Sequence, residues 1–204
     1  MFFLLIPFFI FAESISYYQG YLLYENYVKN SVHATDFDQL VEGIKAAHRG
    51  LVLNRDDIEK KQKEHCRFVK QERLANANRF MAAITGENGV IVLVKGKLAY
   101  KVIKQGTGSE VQENDSPSIK YTAKILEGDK EVEFGPNSEE PKEILLKSTI
   151  SGFMQGVVGM REGEKRILYI HPDLAYGSGS ELIEPNSQMI FEVEVFKKSP
   201  IKEG

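Results

Sequence analysis

A single cysteine, Cys66, stands among 204 residues, so no disulfide can form within the chain and no cysteine-based zinc site can be assembled. A chain without disulfides must be held by packing, which its length allows. Cys66 has Lys63, Arg67 and Lys70 as sequence neighbours. They would lower its pKa if they faced it; otherwise it is an inert thiol on a charged helix. Charge of one sign is scarce as well: 26 Lys and Arg against 29 Asp and Glu give a net charge of -3 at pH 7, without the basic surplus that nucleic acid requires.

Catalytic and cofactor signatures are equally thin. His33, His48, His65 and His171 have no second ligand type at a metal-binding spacing, so packing or solvation is expected of each. Gly106-Thr107-Gly108 lacks the third glycine and helix start of a nucleotide loop, and no serine occupies a Gly-x-Ser-x-Gly elbow. No metal or cofactor is therefore expected. Long apolar runs are missing too: residues 2 to 12 form an uncharged run of eleven, against the roughly 20 residues that cross a bilayer. The run reads as the apolar region of a signal peptide, with Ala12 before Glu13 as the cleavage position, although no Lys or Arg precedes it. An uncleaved apolar tail is the alternative.

What is present is ordinary for a globular chain, 42% hydrophobic and 27% charged, enough for one core and an accessory domain. From Ser14 to Asn30, Ile15, Tyr18 and Leu22 make one helical stripe, and Tyr17, Tyr21, Tyr24 and Val28 an adjoining one. Five tyrosines in eleven residues suit a protein interface or a membrane-interface belt. Asp36 can cap a second helix with Gln39 three residues on; Phe37, Leu40, Val41, Ile44, Ala47 and Leu51 line its apolar side, and Gly50 stops it. Fewer than about fifty residues rarely sustain a core alone, so this part is expected to pair with its copy in a second chain.

A third helix is expected from Asn54 to Ile84, with Asp56 and Asp57 in its first turn and a length of about 45 Å. Its sparse apolar positions, Ile58, Phe68, Val69, Leu74, Phe80, Met81 and Ile84, predict a solvated rod between domains. The Lys60-Lys61-Gln62-Lys63 run reads as a solvated face. After Gly89 the period changes to two. Strands are expected at Val90 to Val94, Leu98 to Lys104, Ser118 to Ile125, Ile144 to Leu146, Arg166 to Ile170 and Met189 to Phe196, with a short helix near Phe153 to Met160 against the sheet.

An ordered set of residues runs through this half: Tyr121-Thr122, Ile150, Gly152-Phe153, Gly156, Met160 with Gly163, Ala175-Tyr176-Gly177, Pro185-Asn186-Ser187 and Phe191. In this order it resembles the FKBP-type peptidyl-prolyl isomerases. Residues 14 to 88 resemble by architecture the helical arm of the Mip-like (macrophage infectivity potentiator) branch. The resemblance implies an α+β fold: an antiparallel FKBP-like half-barrel wrapped on a short helix, preceded by an all-α dimerisation arm and a long connecting helix. The implied divisions are 1–12 signal peptide, 13–54 dimerisation domain, 55–88 connecting helix, 89–198 isomerase domain and 199–204 tail.

In such a site Phe153 would form the pocket floor, Tyr121 and Phe191 its aromatic walls, and Ile183 its rim. The Ile150 N–H and the Tyr176 hydroxyl would each hold a substrate carbonyl. Val132, Phe134 and Ile144 fall at further substrate-binding positions. The aromatics suit equally the inner face of a half-barrel. Proline-containing polypeptide clients, a macrolide ligand and a homodimer through residues 14–54 are implied, in the periplasm or outer envelope of a Gram-negative bacterium. The departures are local. The family's Phe-Asp pair falls on Val132-Glu133 or Phe134-Gly135, an aromatic position near Lys142 and Ile144, a valine on Thr149, a tryptophan on Phe153, a glycine on Ala123 and a proline on Glu184. A smaller, more polar pocket should bind less tightly. The second reading is a dimeric chaperone or binding module with weak or vestigial isomerase activity.

Overall fold

The computed structural model of the chain describes residues 15–23, 36–128, 130–135, 140–177, 179 and 183–197. The expected signal peptide at 1–12, the second half of the tyrosine-rich stretch and the tail at 199–204 lie outside them. The chain forms two compact units, Met1–Asn54 and Arg55–Gly204.

In the first unit, α1 spans Ile15–Leu23 and α2 spans Phe37–His48. The Asp36 side chain accepts the Gln39 N–H at 3.0 Å, satisfying one of the amides a helix start leaves open. Gly50 ends the helix at φ 89°, a conformation glycine takes without strain. No residue of α2 is buried, and Phe37 and Ile44 are each about half exposed.

In the second unit, α3 runs over Arg55–Ile84, followed by β1 (Val90–Val94), β2 (Leu98–Lys104), β3 (Ser118–Glu127), β4 (Lys130–Glu133) and β5 (Lys142–Glu143). Then come α4 (Ser151–Val157), β6 (Lys165–Ile170) and β7 (Met189–Lys197). Among the described residues the seven strands form one antiparallel sheet ordered β1-β2-β6-β7-β3-β4, with β5 beside β3. Alternation along each strand divides the apolar residues between two faces. Leu98, Leu168, Ile170, Met189, Phe191, Val193 and Val195 join Phe153 and Val157 of α4 in the larger core. Ala99, Tyr169 and Ile190, one step out of phase, form a second cluster with Met81 of α3.

That second cluster corrects the reading of α3 as a solvated rod. Its N-terminal half is exposed, but Ala77 and Met81 are fully buried, and the Phe80 ring lies 6.0 Å from Tyr169. Arg73 donates to the Ser187 hydroxyl, Asn186 to the Lys70 carbonyl, and Gln188 to the Met81 sulfur. The apolar stripe looked sparse because one of its buried members is alanine. Two further expectations shift. Ile144 to Leu146 is not a strand: β5 ends at Glu143, and Leu146 enters a 3₁₀ turn, Leu146–Ser148, that buries its side chain completely. α4 starts and ends earlier than expected, because the chain leaves the helix at Val158 and turns through Gly159 at φ 83°.

Candidate functional site

α4 begins where the 3₁₀ turn hands the chain to Ile150, whose extended backbone (φ -63°, ψ 146°) places it at the helix cap. Its carbonyl accepts from the N–H groups of Phe153 at 3.0 Å and Met154 at 3.1 Å. No backbone carbonyl among the described residues takes the Ile150 N–H. Helix starts leave such donors open for a ligand. The hydroxyl of Thr149 donates to the Leu146 carbonyl at 2.7 Å, so this polar replacement is satisfied inside its own turn.

Two glycines let α4 lie close on β6. A Cβ on Gly156 would stand 2.8 Å from Leu168 Cδ1, and one on Gly152 would collide with Ile170. At the other end of the helix, Arg166 is 7% exposed and donates to the carbonyls of Gly156 at 3.1 Å and Gly159 at 3.2 Å. Glu164 pairs with the same guanidinium and also accepts the Arg161 N–H at 2.9 Å, while the Tyr100 ring lies 4.1 Å below the guanidinium carbon. A cation at a helix C-terminus meets the negative end of its dipole. The helix carrying Phe153 is thus fixed at both ends.

Above Phe153 opens a cavity of about 400 Å³ lined by Tyr121, Ile144, Ser148, Thr149, Ile150, Phe153, Tyr176 and Phe191. Three rings make its inner surface. Phe153 and Phe191 meet edge to face at 5.2 Å; Tyr121 is 5.9 Å from the first and 6.1 Å from the second. These separations lie in the attractive range for aromatic pairs. β3 and β7 set the register: Tyr121 opposes Val193, and Phe191 opposes Ala123. Tyr176 is 38% exposed at the mouth, on a turn closed by the Gly177 N–H donating to Pro172 at 2.9 Å. Among the described residues no carboxylate, imidazole, amine or thiol lines the cavity.

The fold therefore brings together Tyr121, Ile144, Ile150, Phe153, Tyr176 and Phe191. It places three other sequence candidates elsewhere. Val132 is on β4, paired with Ile125 and 38% exposed. Phe134 packs half-buried against the larger core while its N–H donates to the Ala123 carbonyl at 2.8 Å. Ile183, 3% exposed, is a member of that core. Lys142 is exposed on β5. Ser148 joins the lining unannounced; the hydroxyl pair Ser148-Thr149 just ahead of the helix was its only signal. A larger concavity, about 540 Å³, follows α3 from Glu59 to Leu74 and reaches Asn186, but its walls are mostly charged or amide side chains, with no aromatic ring among the described residues. Volume alone does not select a site.

Comparison with known proteins agrees with this geometry. Residues 107–196 match the family model for FKBP-type peptidyl-prolyl cis-trans isomerase. The peptidyl-prolyl cis-trans isomerase Mip of Chlamydia muridarum is 34% identical over 184 residues, covering 87% of this chain and 75% of that protein. The outer membrane protein MIP of Legionella longbeachae is 27% identical, covering 90% of this chain and 84% of its own length. The crystal structure of FkpA from Escherichia coli superposes with a TM-score of 0.61 at 25% identity, over 92% of this chain and 98% of that one. The chain belongs to the FKBP-type peptidyl-prolyl cis-trans isomerases, in their Mip-like branch.

Proposed function

We propose that this isomerase takes the prolyl ring of an extended polypeptide into the cavity of Tyr121, Phe153 and Phe191, with Ile144 beside it. The X-Pro amide turns over a barrier of about 18–20 kcal/mol unaided. Twisting it removes resonance and with it much of the dipole, so a dry apolar surface favours the twisted form over the planar one. The observation that carries this reading is the triangle of packed rings beside a helix start, with an apolar and hydroxyl lining among the described residues. The open Ile150 N–H would hold one substrate carbonyl and the Tyr176 hydroxyl another. A macrolide would compete for the same surface. Phe134 and Ile183 pack in the larger core on which the cavity rests.

The test is the rate of cis–trans exchange of a proline-containing peptide, by protease coupling or NMR exchange. Tyr176→Phe removes one hydrogen bond worth about 1 kcal/mol and should lower kcat/KM about fivefold, without loss of stability at so exposed a position. An unchanged rate would remove the hydroxyl from the mechanism.

The envelope is the proposed setting, supported by the leader-like residues 2 to 12 and by the name of the Legionella relative. Clients would be exported polypeptides during folding. A homodimer through residues 14–54 is proposed from α2, which carries Phe37 and Ile44 on its surface and buries nothing. Sedimentation of the full chain should give a dimer and deletion of residues 14–54 a monomer; a monomeric full chain would end that proposal. The divisions at 12, 54, 88 and 198 are proposed with it.

A further inference from the structure

His171 sits at the base of the turn that carries Tyr176, and its side chain is 3% exposed. It caps the 3₁₀ turn Pro172–Leu174: Nδ1 accepts the Asp173 N–H at 3.2 Å, which requires that nitrogen to be unprotonated. The neutral ring therefore carries its proton on Nε2, which is buried and has no hydrogen-bond partner among the described residues. The same turn runs on without a break to the pocket. Pro172 accepts from the Ala175 and Gly177 N–H groups at 3.0 and 2.9 Å, and Gly177 accepts from Asn186 at 2.8 Å. Leu174 lies against Gly152, the residue before Phe153, so closely that a Cβ there would stand 3.0 Å from the Leu174 carbonyl.

The charged groups around His171 come from two elements. Asp173 Oδ2 is 3.6 Å from Nδ1, on the same turn. Lys97, from the β1–β2 turn, pairs with that carboxylate at 2.9 Å while its own carbonyl accepts the His171 N–H at 2.8 Å. Burial holds the imidazole below the ordinary value of 6.5; Asp173 opposes this and Lys97 adds to it.

We infer that His171 is a positioning residue for the reaction: its neutral Nδ1 fixes the turn that holds Tyr176 over Phe153, and protonation removes the acceptor and releases the turn. This rests on the reading of Tyr176 as a substrate-holding group. Protonated Nδ1 becomes a donor, repelled by the Asp173 N–H and drawn to the Asp173 carboxylate, so the cap is lost. A histidine depressed in the folded chain lends stability that is complete above 6.5 and lost as pH falls through the lower folded value.

The experiment pairs pH profiles of kcat and KM with NMR titration of the full chain. Wild type should lose kcat/KM on the acid side, up to about tenfold per pH unit below a midpoint under 6.5, with the loss in KM. The amide signals of Asp173 and Tyr176 should move with the imidazole. His171→Asn keeps an acceptor that does not titrate and should flatten the acid limb; His171→Leu keeps none and should show a raised KM at every pH. An acid limb that persists in His171→Asn, or amides of Asp173 and Tyr176 that ignore the imidazole, would overturn the inference. Should wild type fail to accelerate prolyl exchange, the isomerase reading falls, while the amide titration still decides whether His171 fixes the turn.

Discussion

Arg166→Met should cost about 3–5 kcal/mol of stability, read as a lower midpoint in urea without a change of slope. The guanidinium is almost wholly buried and satisfies Glu164 and two carbonyls at the end of α4. Methionine fills much of the volume but leaves the carboxylate without its cation, in a place water does not reach. An unpaired buried charge accounts for most of the expected loss, not the disappearance of the pair itself. Adding Glu164→Gln should therefore restore more than half, since the remaining group is neutral. A single variant within 1 kcal/mol of wild type would mean that Glu164 finds another partner.

Phe153→Ala is expected to be comparably severe, about 3–5 kcal/mol, and to abolish measurable prolyl exchange. The ring touches both Tyr121 and Phe191, so its removal leaves two aromatics without their edge contact and a void beneath the cavity. Loss of fold and loss of activity need separating. Phe153→Leu keeps an apolar side chain and should cost only about 1 kcal/mol. If the ring shapes the transition-state surface, this folded variant still loses most of its kcat/KM; if it keeps full activity, the cavity floor is elsewhere.

Much of the fold is legible in the sequence, and the reasons differ by place. The Asp36–Gln39 cap and the β2 span Leu98–Lys104 follow from local rules, which need only neighbours in sequence. The order of site residues from Tyr121 to Phe191 placed six side chains around one cavity, because turns and registers in this fold bring them there. Illegible parts depended on long-range contact. Leu145 looks like the middle of a strand in Ile144-Leu145-Leu146, yet it is 41% exposed while Leu146 turns into the core. β4 is four exposed residues whose strand identity comes only from pairing with β3. Thr149 reads as added polarity, but its hydroxyl is spent on Leu146. Ile183 reads as a rim because loop position suggests one, while packing draws it inside.

α3 lives in two solvents. Its first half is dissolved in water, and its last turns are dissolved in the outer face of the sheet, where Met81 meets Ala99, Tyr169 and Ile190. Trimming the chain at Gly89, where the strands begin, would leave those three side chains facing water and unseat the Asn186 and Ser187 contacts that lie just beyond the Tyr176 turn. The catalytic sheet thus extends, in substance if not in secondary structure, back to about Lys70. What reads as a tether is also a roof.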